Sequence, residues 1–458
     1  MTQETQMLLG LFLGIVIMIV LVVKTKTHTF IALLLAALIT GLIGGMGPAA
    51  AVSAIQEGFG STLKSTGIII GLGVMMGGIL EKTGAAERLA YTFIKLIGKG
   101  KEEWALGVTG WIVSIPVFAD SAVVIFAPLC KALSRVTGKS VIGLALALAC
   151  GLQCTHAMVP PTPGPLTAAG MMGVDVGQMI LLGAALSIPI FIGSILYSKW
   201  IGRKIYQIPH TDGTYDRKEF KKEYIKTMAE LDTIMNAKEL PSLWDSLSPI
   251  VVPLILIFSK TALSLTSIES GMVYNVISLV GEPIFALAVG TMLAVWGLGK
   301  GIEQKKLIAI MNESIKDTGI IMLITGAGGS LGNVVKVSGI GDVLGATVIS
   351  WPIPAILIPV IIAALMRIAL GSATVAITTA ASLTAPLIPA LGLPPVLLAQ
   401  ASCIGAIAFG YFNDSGFWVF NGMFGLTEMK DQLKCKTAVS MVMAGIGVVE
   451  LLVINMFL

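Results

Sequence analysis

Four prolines, Pro160, Pro161, Pro163 and Pro165, fall within six residues. They lie inside an apolar run, Ser140 to Met172, long enough to cross a membrane. Proline has no N–H to give to a helix, its ring clashes with the preceding turn, and it pushes the residue before it away from helical angles. One helix therefore cannot run through Val159-Pro160-Pro161-Thr162-Pro163-Gly164-Pro165. In hydrocarbon an unpaired backbone group costs several kcal/mol, so a break at mid-span survives only where protein buries it or water reaches it. Broken spans of this kind are where carriers hold small polar solutes.

Composition agrees. Of 458 residues, 55% are hydrophobic and 12% charged, with mean hydropathy +0.90, whereas about a quarter of a soluble domain is charged. An all-α polytopic membrane protein is predicted. The net charge of +4 is small, and the placement of the positive charges matters more than their sum, so nucleic acid is not an expected partner. No paired metal ligands, nucleophile–base set or soluble catalytic domain is visible, so neither an enzyme nor a cofactor is expected. Four of the five cysteines lie in apolar segments and read as small buried side chains, with no disulfide. The first apolar run, Met7 to Val23, has no basic residue before it and is followed by Lys24, Lys26 and His28. It reads as a retained span with its far end in the cytoplasm.

Spans are predicted at 6–23, 28–46 and 62–80. Residues 81–103 are amphipathic, with Leu89, Phe93 and Leu96 on one helical face, and are expected at the cytoplasmic interface. The apolar segment 104–135 is interrupted at Ser114–Ser121 and carries charges at both ends. A re-entrant hairpin that enters and leaves from the cytoplasm keeps both charged ends inside. The broken span 140–174 and a span at 177–199 complete the first half. Residues 203–245 are polar and lysine-rich, as a cytoplasmic linker would be. The second half repeats the plan: spans 247–266, 273–298 and 312–335, an interrupted region 353–390 containing Gly371-Ser372-Ala373-Thr374, a broken span 394–426 containing Phe412-Asn413-Asp414-Ser415-Gly416-Phe417-Trp418, and a last span 437–457.

The halves match in register. Lys64, Thr66 and Gly67 align with Lys316, Thr318 and Gly319, and Gly164, Gly170, Met171 and Gly173 align with Gly416, Gly422, Met423 and Gly425, both at a shift of 252 positions. Five full crossings per half is an odd number, so the second copy must run inverted. The expected organisation is a first inverted repeat at 1–202 with a cytoplasmic-side hairpin, a linker at 203–245, and a second repeat at 246–458 with an outer-side hairpin. Each repeat then has about five spans, one hairpin and one broken helix. The lysines at 24–26, 82–101, 199–238, 300–306 and 430–436 all fall on one side, and both termini face outward. This is the architecture of a secondary transporter.

Charged groups inside a membrane suggest function by default. Asp120 sits at the first hairpin tip between Ser114 and Ser121, where low-dielectric surroundings oppose a bare carboxylate, and it is a candidate proton carrier. A cap on the second hairpin helix is the plainer role. His156 precedes the proline break and can relay a proton or donate to a substrate, or to a carbonyl freed by the break. Asn413, Asp414 and Ser415 occupy the second break and suit substrate hydroxyls, or the freed backbone. Arg367 needs a partner, and its fork fits a substrate carboxylate or, internally, Asp414 or Asp120. Ser372, Thr374 and Thr378 bring hydroxyls to the second hairpin tip. If a helix begins there, its N–H groups favour an anion. Thr162 and Gly164 offer the matching arrangement in the first break.

The run His156 to Pro165, Gly371-Ser372-Ala373-Thr374-Val375-Ala376, and Asn413 to Trp418 together resemble the gluconate:proton symporter (GntP) family of the ion transporter superfamily. Gly45-Met46-Gly47-Pro48 and Thr83-Gly84-Ala85-Ala86-Glu87-Arg88 extend the likeness nearly end to end. The resemblance implies proton-coupled import of gluconate or related sugar acids across the inner (cytoplasmic) membrane, with D-serine as substrate in some members. It also implies a dimerising scaffold domain and a transport domain that moves like an elevator. Sodium coupling is the alternative. Two positions depart from the family's gluconate carriers: Thr162 stands where they have histidine, and Phe118-Ala119-Asp120 stands where they read Phe-x-Glu. Both changes touch the expected site and point to a shorter hydroxy acid.

Overall fold

The proline cluster does end a helix. In the computed structural model, which describes residues 3–97, 100–210, 214–217, 240–263, 270–340, 343, 352–411 and 414–457, helix α7 (Val141–Met158) stops at the prolines and α8 (Pro163–Met172) restarts after them. The peptide between Pro160 and Pro161 is cis. Before them come α1 (Gln3–Val23), α2 (Thr29–Ile43), α3 (Pro48–Lys82), α4 (Ala85–Ile97), α5 (Glu102–Val113) and α6 (Ala119–Thr137), and α9 (Val176–Lys204) follows. The second half contributes α10 (Leu243–Leu263), α11 (Met272–Val280), α12 (Pro283–Leu293), α13 (Gln304–Val337), α14 (Leu357–Leu370), α15 (Ala373–Thr384), α16 (Pro395–Ile407), α17 (Ser415–Met423) and α18 (Ala438–Asn455). The second break, between α16 and α17, therefore also falls inside its expected span. Phe412 and Asn413 lie outside the described residues.

Among the described residues six helices are long and apolar enough to cross a membrane, or up to eight spans if each of two bent pairs counts as one. The 62–80 and 312–335 spans are cores of much longer helices, α3 with 35 residues and α13 with 34. Pro48 at the first turn of α3 starts the helix early, because a missing N–H costs nothing there. These two helices pack along each other. Ser330 donates to Ile55 O at 2.8 Å and Asn333 to Ala54 O at 2.8 Å, beside a close approach of Gly58 and Gly329. Small residues plus a few polar bonds hold helices together where lipid removes the hydrophobic drive. In α4, Leu89 is buried and Leu96 is 77% exposed, so the expected Leu89–Phe93–Leu96 face does not pack as one. Ala86, Ala90 and Ile94 join Leu89 instead.

Around α3 and α13 are gathered α2, α12 and α15, while α5, α7 and α9 pack against one another, and α16 packs on both α14 and α18. Helix pairs α5–α6 and α14–α15 are each joined by a short turn. The first is tied at its base by Lys139, whose ammonium meets Glu102 at 2.7 Å, Glu103 at 2.5 Å and Gly100 O at 2.9 Å. Burial opposes the Lys139 charge, but the two carboxylates outweigh it and hold the ammonium above its ordinary value. That stabilisation is present below the ordinary lysine range and is lost only as pH rises through the raised value.

The 203–245 linker is not a bare tether. Helix α9 runs on to Lys204, and strands β1 (Gln207–Pro209) and β2 (Tyr215–Arg217) pair antiparallel. Gln207 donates to Phe424 O at 2.8 Å, Tyr215 to Met423 O at 2.9 Å, and Arg217 to Asp431 at 2.9 Å. The Tyr215 ring lies where a side chain on Gly425 would sit, and that glycine holds φ +68°. Carbonyls at the end of α17 are thereby satisfied by the linker, a pairing that polarity alone does not disclose. Residues 218–239 lie outside the described residues.

The break itself is satisfied by Gln400 of α16. Its Nε2 donates to Met158 O at 3.0 Å and Met179 O at 3.1 Å. Gly183 lets α9 approach closely enough for this. Gln400→Leu takes the donor from the buried Met158 carbonyl at the end of α7, so a loss of about 1–3 kcal/mol is expected as a lowered thermal midpoint of the purified protein. An unchanged midpoint would show that water replaces the amide.

Candidate functional site

The two hairpin tips and two breaks bring six of the sequence-predicted residues to one cavity of about 370 Å³: Asp120, His156, Arg367, Ser372, Thr374 and Asp414. Its mouth lies at Lys82 of α3 and Glu313 of α13, both exposed and 3.9 Å apart, a distance and exposure at which an ion pair contributes little.

The first residues of α6 and α15 and the cap of α17 all line this cavity. Helix α15 begins after Gly371, whose φ of +78° is a turn conformation open to glycine. Ser372 caps the helix by accepting from Val375 N at 3.4 Å. Asp414 caps α17, accepting from Gly416 N at 3.1 Å through Oδ1. No side chain caps α6 at Phe118. Helix N-termini present N–H groups and positive dipole ends, a setting that favours anions.

Arg367 is 3% exposed. It donates to Gly371 O, and to Asp414 Oδ2 at 2.5 Å. Its Nε has no hydrogen-bond partner among the described residues. The internal salt bridge foreseen for Arg367 is thus present, and the guanidinium still faces the cavity. Asp414 has one oxygen on Arg367 and the other on Gly416, which makes it a positioning residue for both.

Asp120, the second residue of α6, is exposed within the cavity, so water reaches it and the apolar setting expected from sequence does not hold here. Its carboxyl stands beside Gly416: a side chain there would come within 2.5 Å of Asp120 Oδ1 and 3.6 Å of Asp414 Oδ1. His156 packs its ring against Phe118, centroids 5.6 Å apart. Its Nδ1 is buried with no partner among the described residues. Gln400 donates to one carbonyl at the break, Met158 O.

The remaining predicted residues stand elsewhere. Ser114 donates to Val117 O at 3.0 Å within the first turn, and Thr162 to Val159 O at 2.8 Å within the break. Gly164 packs α8 against Ile377 and Thr374 of α15. Thr378 is buried one turn beyond the cavity, near Gly328. Asn413 and the side chains of Ser121 and Ser415 lie outside the described residues. Sequence reasoning missed Gln153, Glu81, Lys82, Glu313 and Ser314, all of which line the cavity. Gln153 carried a signal, being an amide in apolar sequence one turn before His156. Glu81, Lys82 and Glu313 read as ordinary charges at span ends until α3 and α13 are seen side by side.

The family model for the GntP family permeases matches residues 6–457. The chain belongs to the GntP permease family. An uncharacterised permease of Haemophilus influenzae is 43% identical over 436 residues, covering 93% of this chain and 87% of that one. A gluconate permease of Pseudomonas aeruginosa is 32% identical over 433 residues, covering 93% of each. Among solved structures, the YdaH transporter of Alcanivorax borkumensis superposes with a TM-score of 0.67 at 13% identity, over 92% of this chain and 96% of that one, a likeness of fold. This GntP permease is a membrane-embedded transporter and not an enzyme.

Proposed function

We propose that this permease carries gluconate or a related, shorter hydroxy acid together with a proton across the cytoplasmic (inner) membrane. The observation that carries the reading is the convergence of Arg367 with the starts of α6, α15 and α17 on one cavity. In this reading Arg367 and the first N–H groups of α15 hold the carboxylate, and Ser372 and Thr374 meet hydroxyls. Asn413 and Ser415 belong with this group by sequence. Asp120 and His156 handle the proton. A substrate anion beside Asp120 and Asp414 would add a third negative charge, and a proton on Asp120 relieves that repulsion. The similarity to a gluconate permease supports the substrate class, and Thr162, turned onto Val159 O, supports a shorter acid. The two halves are read as inverted repeats because long helix, hairpin, broken span and final span follow in the same order in both. With the lysine-rich side inside, the mouth at Lys82 faces the cytoplasm.

One observation favours a second reading. Four acids line the cavity, Glu81, Asp120, Glu313 and Asp414, against Arg367 and Lys82. Such a balance suits a zwitterion such as D-serine.

Thermal stabilisation of the purified protein by gluconate, shorter hydroxy acids and D-serine, at acid and neutral pH, tests both, since a ligand of the folded state raises its apparent stability. A sugar-acid shift that grows at low pH is expected. A shift with D-serine alone would transfer the proposal to the zwitterion, and one that requires sodium and ignores pH would remove the proton.

A further inference from the structure

A second pocket, of about 110 Å³, lies away from the transport cavity at the lysine-rich ends of α5, α7 and α9. Glu103, Lys139, Ser140, Lys199, Arg203 and Tyr206 line it. It is a built cleft: Gly143 and Gly202 bring α7 and α9 into backbone contact beneath it. Ser140 donates to Ile205 O at 2.8 Å and Tyr206 to Gly138 O at 2.5 Å, closing its walls. Glu103 in its lining and Glu102 beside it both hold Lys139. Lys199 and Arg203, one turn apart on α9, are further cations of the lining.

What α9 presents next to the pocket decides the kind of ligand. Ile188, Ile192 and Leu196 are 50%, 43% and 56% exposed and follow each other at four-residue steps, an unbroken apolar stripe up the helix. The next step is Trp200, 53% exposed, with the Tyr197 ring tilted against it, centroids 5.5 Å apart. Tryptophan and tyrosine mark the headgroup level of a bilayer. The stripe thus sits at acyl-chain depth and the pocket at phosphate depth on the same helix, and basic pockets between membrane helices on this side suit anionic headgroups.

We propose that this pocket holds the phosphate of an anionic phospholipid, with Lys199 and Arg203 as its cationic partners and an acyl chain lying along Ile188, Ile192 and Leu196. A free phosphate ion has the same headgroup chemistry but no use for the stripe. The test compares thermal unfolding of lipid-stripped protein in neutral detergent with dioleoylphosphatidylglycerol, dioleoylphosphatidylcholine or inorganic phosphate added. The phosphatidylglycerol arm is expected to raise the midpoint by about 2–4 °C, the other two to leave it unchanged, and the Lys199→Gln/Arg203→Gln protein to lose the response. A variant that keeps the full response, an equal shift with phosphatidylcholine, or a shift reproduced by inorganic phosphate overturns the proposal. Native mass spectrometry supplies a second readout should the double variant not fold. Wild type is expected to retain one phosphatidylglycerol more than Lys199→Gln, and equal retention overturns the assignment.

Discussion

Replacing Arg367 by glutamine is expected to abolish substrate-induced stabilisation and to lower uptake by at least about thirtyfold, the equivalent of 2 kcal/mol. The guanidinium is almost wholly buried, lines the cavity, and keeps Nε without a partner among the described residues. Removing it takes away the anion's charged donor and also strands Asp414, a partly buried carboxylate whose partner stood 2.5 Å away. Losing one member of a buried pair costs about 3–5 kcal/mol of stability, so lost uptake alone would not separate binding from folding. Asp414→Asn and the double variant separate them. The double variant removes both charges and should recover much of the thermal midpoint, because the two residues are coupled and their effects do not add. It should not recover substrate binding. Asp414→Asn alone keeps Arg367 and frees it from its internal competitor, so anion binding should survive in whatever fraction folds. Recovery of uptake in the double variant would reduce Arg367 to a structural role.

That pairing shows how far the sequence could be read. The prolines at 160–165 announced the break, and the Gly371-Ser372 dipeptide announced the second hairpin turn, because each is a local backbone rule that needs no neighbour. Arg367 could be seen to need a partner, and Asp414 was among those foreseen. Only the tertiary structure reveals that the same carboxylate meets Arg367 through one oxygen and caps α17 through the other. Gln400 illustrates the limit. Nothing in Pro395–Ile407 indicates that its amide will satisfy Met158 O in the other half of the chain, 242 positions away. The β-hairpin at 207–217 is hidden for the same reason: its two strands have three residues each, and its anchors are carbonyls of a distant helix end. Glu81, Lys82 and Glu313 look like charges at the ends of spans, and they become the cavity mouth through the packing of α3 on α13.

Asp120→Asn is expected to abolish accumulation of substrate against its gradient while leaving exchange of labelled for unlabelled substrate intact. The amide copies the protonated acid in shape and lacks its proton, so the carrier can load an anion but cannot couple loading to a proton gradient. In wild type, binding that requires a proton strengthens as pH falls, by up to about tenfold per unit for one coupled proton. The variant should bind at neutral pH as wild type does at acid pH, with a flat profile. Among the described residues the other titratable groups lining this space are His156 on α7, Arg367 on α14, Asp414 at the start of α17, Glu81 and Lys82 on α3 and Glu313 on α13. Asp414 is held by Arg367, and Glu81 and Glu313 lie toward the mouth, which leaves His156 as the alternative proton site. His156→Gln supplies the comparison. If the profile flattens there and persists in Asp120→Asn, the proton belongs to the imidazole whose Nδ1 lacks a partner among the described residues. If both variants accumulate substrate as wild type does, proton coupling through this cavity is wrong, and a sodium gradient at fixed pH becomes the driving force to measure.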